Sequence, residues 1–522
     1  MKTDKYVPCV MRCGFVLLIL TLATPFADAQ SGAWTTPVVL ADEFGWWPSL
    51  AVDPLGGVHV VWSAGQLAQF GSEDFLMDVL AYSRKEADGW RPPIDVLSGS
   101  STEAYTVRNG IAASPDGRLH AVYRVLTKIY YASAPIQDAW SAREWTQPRL
   151  IAGLGYYTDI TADIHGRIHM VWSQQVERDS EFGNNPNCVM CSEIFYRRSE
   201  DGGTTWSAPT NVSKTEWGSD KPRIHVDEGN HVYITWDEGV DWYTGRGEVQ
   251  SVALAVSRDG GVTWDNPMFF GLDQREQGGH APRDVAFGYD GFGNLVIAYR
   301  RVLDATHATS DYQLYYQVSR NYGRTWSEPD SIPGALARTG DDTGLDNYDI
   351  ARDRQGHLHL VFVGARDLED AGAGLYHVEW DGNAWRRPEE IYYTSEYPEW
   401  PRIAVDSGDG LHVVWHERIR AELWSQGKRT IRIMYAERPG GPLPEVTLMP
   451  TFTPRPTATP IMRTPTITRT PPPPYVRTDQ WYDANTKVDA TATVTLLVAV
   501  LPVLLIISVV FLLRGFRAGR RG

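Results

Sequence analysis

The sequence predicts an all-β fold, a seven-bladed β-propeller closed by its N-terminal strand, followed by a single C-terminal transmembrane helix. Two repeats and the composition predict it. An apolar strand, an Asp/Gly-rich turn and a second apolar strand ending in an aromatic residue recur seven times. The copies are SLAVDPLGGVHVVW (Ser49–Trp62), GIAASPDGRLHAVY (Gly110–Tyr123), DITADIHGRIHMVW (Asp159–Trp172), RIHVDEGNHVYITW (Arg223–Trp236), DVAFGYDGFGNLVIAY (Asp284–Tyr299), DIARDRQGHLHLVF (Asp349–Phe362) and RIAVDSGDGLHVVW (Arg402–Trp415). Alternation at period two around such a turn is the mark of an antiparallel hairpin, here strands A and B of a meander. The motif W-x-x-P followed by a strand also recurs seven times, at Trp34, Trp90, Trp145, Trp206, Trp264, Trp326 and Trp385. It marks the outer strand D. A chain with 20 Trp, 25 Tyr, 47 Gly and 33 Pro suits β-structure with many tight turns.

The first W-x-x-P precedes every A–B pair, while the last pair, from Arg402, is followed by a strand C (Ile431–Ala436) and no strand D. The segment Trp34–Leu40 is therefore expected to complete the final sheet, which pairs two edges that would otherwise stay open. The propeller is assigned to residues 31–440.

Three stretches between strands C and D read SEDGGTTW (Ser199–Trp206), SRDGGVTW (Ser257–Trp264) and SRNYGRTW (Ser319–Trp326). Asp201, Asp259 or Asn321 can accept backbone N–H bonds across the turn, and the following glycines tolerate positive φ. The Trp is expected to pack back against its own hairpin. The pattern S-x-D-x-G-x-T-W resembles the Asp box, or bacterial neuraminidase (BNR) repeat, of sialidase-like β-propellers. In that family the box is a structural staple remote from the active site, so the resemblance implies architecture. Sialidases proper have six blades, which makes six the alternative count.

Lys2, Lys5 and Arg12, the apolar run Gly14–Leu22 and the small-residue site Ala27-Asp28-Ala29 read as a secretory signal peptide, residues 1–29. Thr493–Leu513 is apolar and uncharged, long enough to span a bilayer as a helix, and is followed by Arg514, Arg517, Arg520 and Arg521. The basic flank places residues 514–522 in the cytoplasm and the propeller outside, at the cell surface, with the span assigned to 491–513. Residues 441–490, rich in Pro and Thr, read as an extended stalk. A formal charge of −15 argues against nucleic acid as a partner. Cys188 and Cys191, a C-x-x-C outside the cell, are read as a local disulfide; no cofactor or metal is expected.

In a meander the start of A, the end of B and the B–C loop share one face, and the A–B and C–D turns share the other. A ligand site is expected on the first face, at the mouth of the axial channel. The residues opening the seven A strands are Ser49, Gly110, Asp159, Arg223, Asp284, Asp349 and Arg402. B-strand ends add Arg124, Asp237, Glu238, Arg300, Arg301, Glu417 and Arg418, while Trp46, Trp47, Tyr157, Tyr348, Tyr397 and Trp400 offer stacking faces. This set suits an extracellular glycan or a surface protein, with arginines for an acidic group and carboxylates for hydroxyls. Paired salt bridges lining a narrow channel are the competing reading.

The resemblance further implies an exo-glycosidase acting on acidic sugars, with three arginines, a Tyr–Glu nucleophile pair and an Asp acid. Arg223, Arg402 and one of Arg283, Arg124 or Arg300 would form the clamp. Tyr348 or Tyr397 would pair with Glu238, Glu399 or Glu417, and Asp159, Asp284 or Asp349 would be the acid. The first blade lacks the family's F/Y-R-I-P block, having Trp47-Pro48-Ser49 instead. A protein-binding adhesion or receptor ectodomain using the same face is the third reading. His59, His120, His169, His359 and His412 recur once per B strand and are read as structural.

Overall fold

The computed structural model describes residues 32–451 except 43–44, 68–75, 99–107, 178–189, 216, 242–245, 272–280, 303–309, 339–344, 368, 371 and 423–429. The segments read from sequence as signal peptide, stalk beyond residue 451, transmembrane helix and basic tail, and Cys188, lie outside the described residues. Among the described residues no helix is long and apolar enough to cross a membrane. Cys191 is disulfide-bonded.

Seven antiparallel sheets follow one another along the chain, each ordered A-B-C-D. Blade 1 has A Gly45–Val52, B Val58–Leu67 and C Leu76–Glu86; its outer edge is Gly89–Trp90 and Ile94–Ser98. Blades 2 to 6 open with A strands Asn109–Ser114, Gly155–Ala162, Ser219–Val226, Ala281–Tyr289 and Tyr348–Arg352. In blade 7, Tyr397–Val405, Leu411–Arg418 and Ile431–Arg438 are joined by Val38–Ala41 as the fourth strand. Val38 lies opposite Tyr435 and Val39 opposite Met434, and the Thr35 amide donates to the Glu437 carbonyl at 2.8 Å. The expected closure is present.

Apolar faces of neighbouring sheets meet to form the core. The aromatic residues ending the B hairpins (Trp62, Trp172, Trp236, Trp415) are fully buried, because the radial packing stacks each sheet on the next. The S-x-D-x-G-x-T-W turns are held from inside. The Thr205 amide and hydroxyl donate to Asp201 at 2.7 and 2.6 Å, and the Gly203 amide donates to Ser199 Oγ at 2.8 Å. Ser257, Asp259 and Thr263 repeat this arrangement. The tryptophans reach beyond their own blades. Trp206 meets Tyr131 of the preceding blade edge-on at 5.0 Å, and Trp264 meets Tyr196 at 4.9 Å. Each turn is thus a clasp between blades. Gly203, at φ 92°, is glycine for a second reason, since a Cβ there would strike Tyr131 Oη.

The repeated histidines link strands within a blade. His59 joins Asp53 of its A–B turn (2.8 Å) to Tyr82 of strand C (2.8 Å). His169 links Asp163 (3.4 Å) to Tyr196 (2.7 Å), and His412 links Asp406 (3.0 Å) to Tyr435 (2.6 Å). In blade 6 the tyrosine is replaced by His377, 2.9 Å from His359.

The chain does not leave the propeller at residue 440. Residues 441–451 run along the A–B turns as a strap. The Gly441 amide donates to Gly408 of blade 7 at 2.7 Å, Leu443 covers Gly56 of blade 1, and the Met449 amide donates to Pro115 of blade 2 at 2.9 Å. Leu448 packs into the core between blades 1 and 2.

Candidate functional site

The sequence repeats were aligned by their first residues, but strand register sets the true equivalence. Ser49, Gly110, Asp159, Arg223, Asp349 and Arg402 each lie opposite the residue before the B-strand aromatic. In blade 5 that place belongs to Ala286, opposite Ala298, and not to Asp284. From Ala286 to Tyr299 the blade 5 hairpin has the same 14 residues as the other six, so the repeat begins at Ala286 and Asp284 lies two residues ahead of it.

Four charged residues therefore meet on the axis. Arg223 is 3.5 Å from Asp159 and donates to Asp349 at 2.9 Å. Each aspartate also accepts a neighbouring backbone amide at 3.1 Å, Asp159 from Ile224 on the oxygen that faces Arg223 and Asp349 from Ile403 on its other oxygen. Arg402 donates to its own neighbour's carbonyl, Pro401, at 3.2 Å, and lies 4.7 Å from the Trp400 ring. Burial and the nearby Arg223 lower its pKa to about 9.

Above this ring the A strands of blades 1, 3, 4, 5 and 7 all carry a register shift. At four of the shifts a non-glycine residue has positive φ: Trp47, Lys221, Asp284 and Trp400, with φ 53–55°. Such a conformation costs on the order of 1–3 kcal/mol, and bulges of this kind re-aim side chains. Here they turn Trp47 and Trp400 onto the axis, where Tyr157 of blade 3 meets them. Trp47 and Trp400 are edge-to-face at 4.8 Å, and Tyr157 stacks on Trp400 at 5.9 Å. The Arg108 guanidinium sits over Trp47 at 3.5 Å and over Tyr157 at 4.4 Å, and donates to Tyr157 Oη at 3.1 Å. This group plugs the channel where an open mouth was expected. The three rings are buried, leaving Trp46 and Tyr156 as the partly exposed aromatic surfaces.

Asp284 belongs to a second cluster. It is 2.7 Å from Arg283 and accepts from Lys221 at 3.1 Å, and its amide donates to Asp237 at 2.9 Å. Burial works to raise the Asp284 pKa, but Arg283 and Lys221 outweigh it and hold the carboxyl well below its usual range. Next to it Arg300 lies 3.4 Å from Asp346, which Arg338 also binds at 2.6 Å. Glu399 binds Arg418 at 2.5 Å and His416 at 3.2 Å. Tyr348 is buried with no hydrogen-bond partner for its hydroxyl, and burial holds its pKa far above the usual phenol range.

Glu238 stands apart, between blades 3 and 4, accepting from Ser219 at 2.8 Å and Trp236 Nε1 at 2.6 Å. Burial raises its pKa to about 8, against the hydrogen bonds that lower it. The folded chain thus holds a proton between pH 4.5 and 8 that the unfolded chain releases, so this group's contribution to stability falls as pH rises through that window. Glu238→Gln removes the dependence. Its unfolding free energy in urea, relative to wild type, is expected to climb from pH 5 to pH 8 and then level, by at most about 1.4 kcal/mol per pH unit. Parallel profiles for the two proteins would exclude a buried proton at Glu238.

Arg124 differs from the arginines just described. It is 6% exposed, its Nε and Nη1 have no hydrogen-bond partner, and it lies over Tyr156 at 4.4 Å. Burial and the like charge of Arg108 lower its pKa to about 10.

The structure therefore divides the predicted site residues into separate groups. Asp159, Asp349, Arg223 and Arg402 form the axial ring; Trp47, Trp400 and Tyr157 form the plug beside Arg124; Asp284, Tyr348 and Arg300 lie in the blade 5–6 cluster. Arg108, Lys221, Arg338 and Asp346 were not singled out from sequence. Lys221-Pro222 stands where Trp47-Pro48 and Trp400-Pro401 stand, and that shared X-Pro step was the available signal.

No family profile matches the chain, and no curated protein matches it in sequence. Solved structures similar to it are found at low identity. A protein of unknown function from Dyadobacter fermentans is 12% identical, with a TM-score of 0.44, covering 78% of this chain and 100% of its own. An ulvan lyase of polysaccharide lyase family PL25 is 13% identical, with a TM-score of 0.48 and coverages of 76% and 95%. The intramolecular trans-sialidase of Ruminococcus gnavus is 11% identical, with a TM-score of 0.40 and coverages of 77% and 95%. No residue role is transferred from them.

Proposed function

We propose that the face formed by A-strand starts and B-strand ends binds an acidic glycan, presented outside the cell by a chain anchored through residues 491–513. The observation carrying this reading is Arg124, a buried guanidinium with two unpartnered nitrogens beside Arg108. An anionic group accepting from it would offset the cost of burying a cation without its hydrogen bonds. Trp46 and Tyr156 would stack on the sugar ring. The exo-glycosidase alternative loses support. Arg223, Arg283 and Arg300 are already engaged by the protein's own carboxylates, and Tyr348 has no hydrogen-bonded base.

A glycan array spanning neutral, carboxylated and sulfated saccharides tests the proposal. Wild type should retain acidic glycans only, and Arg124→Gln should weaken them by about tenfold or more. Equal retention of neutral glycans, or unchanged binding by the variant, would remove the proposal. Turnover of a fluorogenic sialoside would restore the enzyme reading.

A further inference from the structure

On the side of the A–B turns the axis is open. A cavity of about 260 Å³ runs between the A strands and ends at the ring of Asp159, Arg223, Asp349 and Arg402. Its walls carry small side chains, among them Ser49, Ala51, Ala113 and Thr161, which leave room along the axis. The plug of Trp47, Tyr157 and Trp400 closes the other side, so this is a blind well with charge at its floor.

The charges at the floor are unevenly partnered. Arg223 takes both aspartates, and each aspartate also accepts a backbone amide. Arg402 has no carboxylate within ion-pair distance among the described residues, is 5% exposed, and its buried Nε has no hydrogen-bond partner. His225, which also lines the well, has its pKa lowered to about 4 by burial and by Arg223, so it is neutral at pH 7 and adds no competing charge. A buried guanidinium without its complement of acceptors is destabilising unless an acceptor arrives from outside.

We infer that the axial well is a binding site for a small oxyanion of the sulfate or phosphate class, held at Arg402 and entered from the A–B turn face. The site is independent of the glycan face, since the aromatic plug stands between them. Its size excludes a saccharide chain but accommodates a tetrahedral anion with its waters. Bidentate donation from a guanidinium is the usual recognition of such groups.

Equilibrium dialysis of the full chain against radiolabelled inorganic sulfate tests this, in an Arg124→Gln background so that the glycan face does not contribute. The Arg124→Gln chain should show a saturable sulfate site. Adding Arg402→Gln should weaken it by about tenfold or more. Adding Ala51→Leu instead, which fills the well and leaves the arginine, should also abolish it, and decides the matter should the Arg402 variant misfold. Absence of saturable binding in the Arg124→Gln chain, or full affinity in folded Ala51→Leu, would overturn the inference.

Discussion

A chain beginning at Glu43 is expected to lose cooperative unfolding and to aggregate on heating. Val38–Ala41 is the fourth strand of blade 7, paired with Ile431–Arg438 while the rest of that blade comes from the far end of the domain. Its removal deletes the contact that ties the first described residues to the last blade. It also leaves the hydrogen-bonding edge of Ile431–Arg438 bare, a template for pairing with another molecule. Trp34 leaves with it, uncovering the core between blades 6 and 7, where it packs, and removing its hydrogen bond to Glu389 at 3.0 Å. Differential scanning calorimetry with light scattering measures the effect. A fall in melting temperature of more than about 10 °C is expected, since domains shift by a few degrees per kcal/mol. A truncated chain that melts as wild type does, without scattering, would show that the ring closes by other means.

The second large effect is expected at Arg283. Its side chain and that of Asp284 are fully buried and 2.7 Å apart. Arg283→Met would leave Asp284 with Lys221 as its nearest cation, at 3.1 Å, in a site that excludes water. Removing one partner of a buried pair typically costs about 3–5 kcal/mol, because the other charge remains desolvated. The double variant Arg283→Met/Asp284→Asn should recover part of that loss, as both charges are then gone. Urea denaturation of the two variants decides it. If the single and double variants unfold at the same concentration, the pair is not coupled and the cluster is held by packing alone.

The blade count and the closure were legible because they depend on local patterns repeated many times. Seven hairpins with period-two alternation and seven W-x-x-P steps leave little freedom, and an edge strand missing at one end matched an extra one at the other. The site was less legible, for two physical reasons. Asp284 stands two residues ahead of the place that Ala286 occupies, inside a bulged strand start that breaks the alternation, and the strand register exposes the slip. The bulged A-strand starts interrupt the alternation where the chemistry lies, so Lys221 fell outside the repeat, and Arg108 stands just ahead of the blade 2 A strand. Their partners come from other blades, and such pairings leave no trace in spacing. The clasps show the same limit. The hydrogen bonds within Ser199–Thr205 could be anticipated residue by residue, but that Trp206 grips Tyr131 of the blade before could not.

The strap has a mechanical consequence. A pull on the chain beyond Thr451 would first load the Met449–Pro115 hydrogen bond and draw Leu448 from the core between blades 1 and 2. The force would thus enter the ring at its second blade. The four-residue strand that holds the circle shut would be sheltered until the strap had peeled back to Gly441.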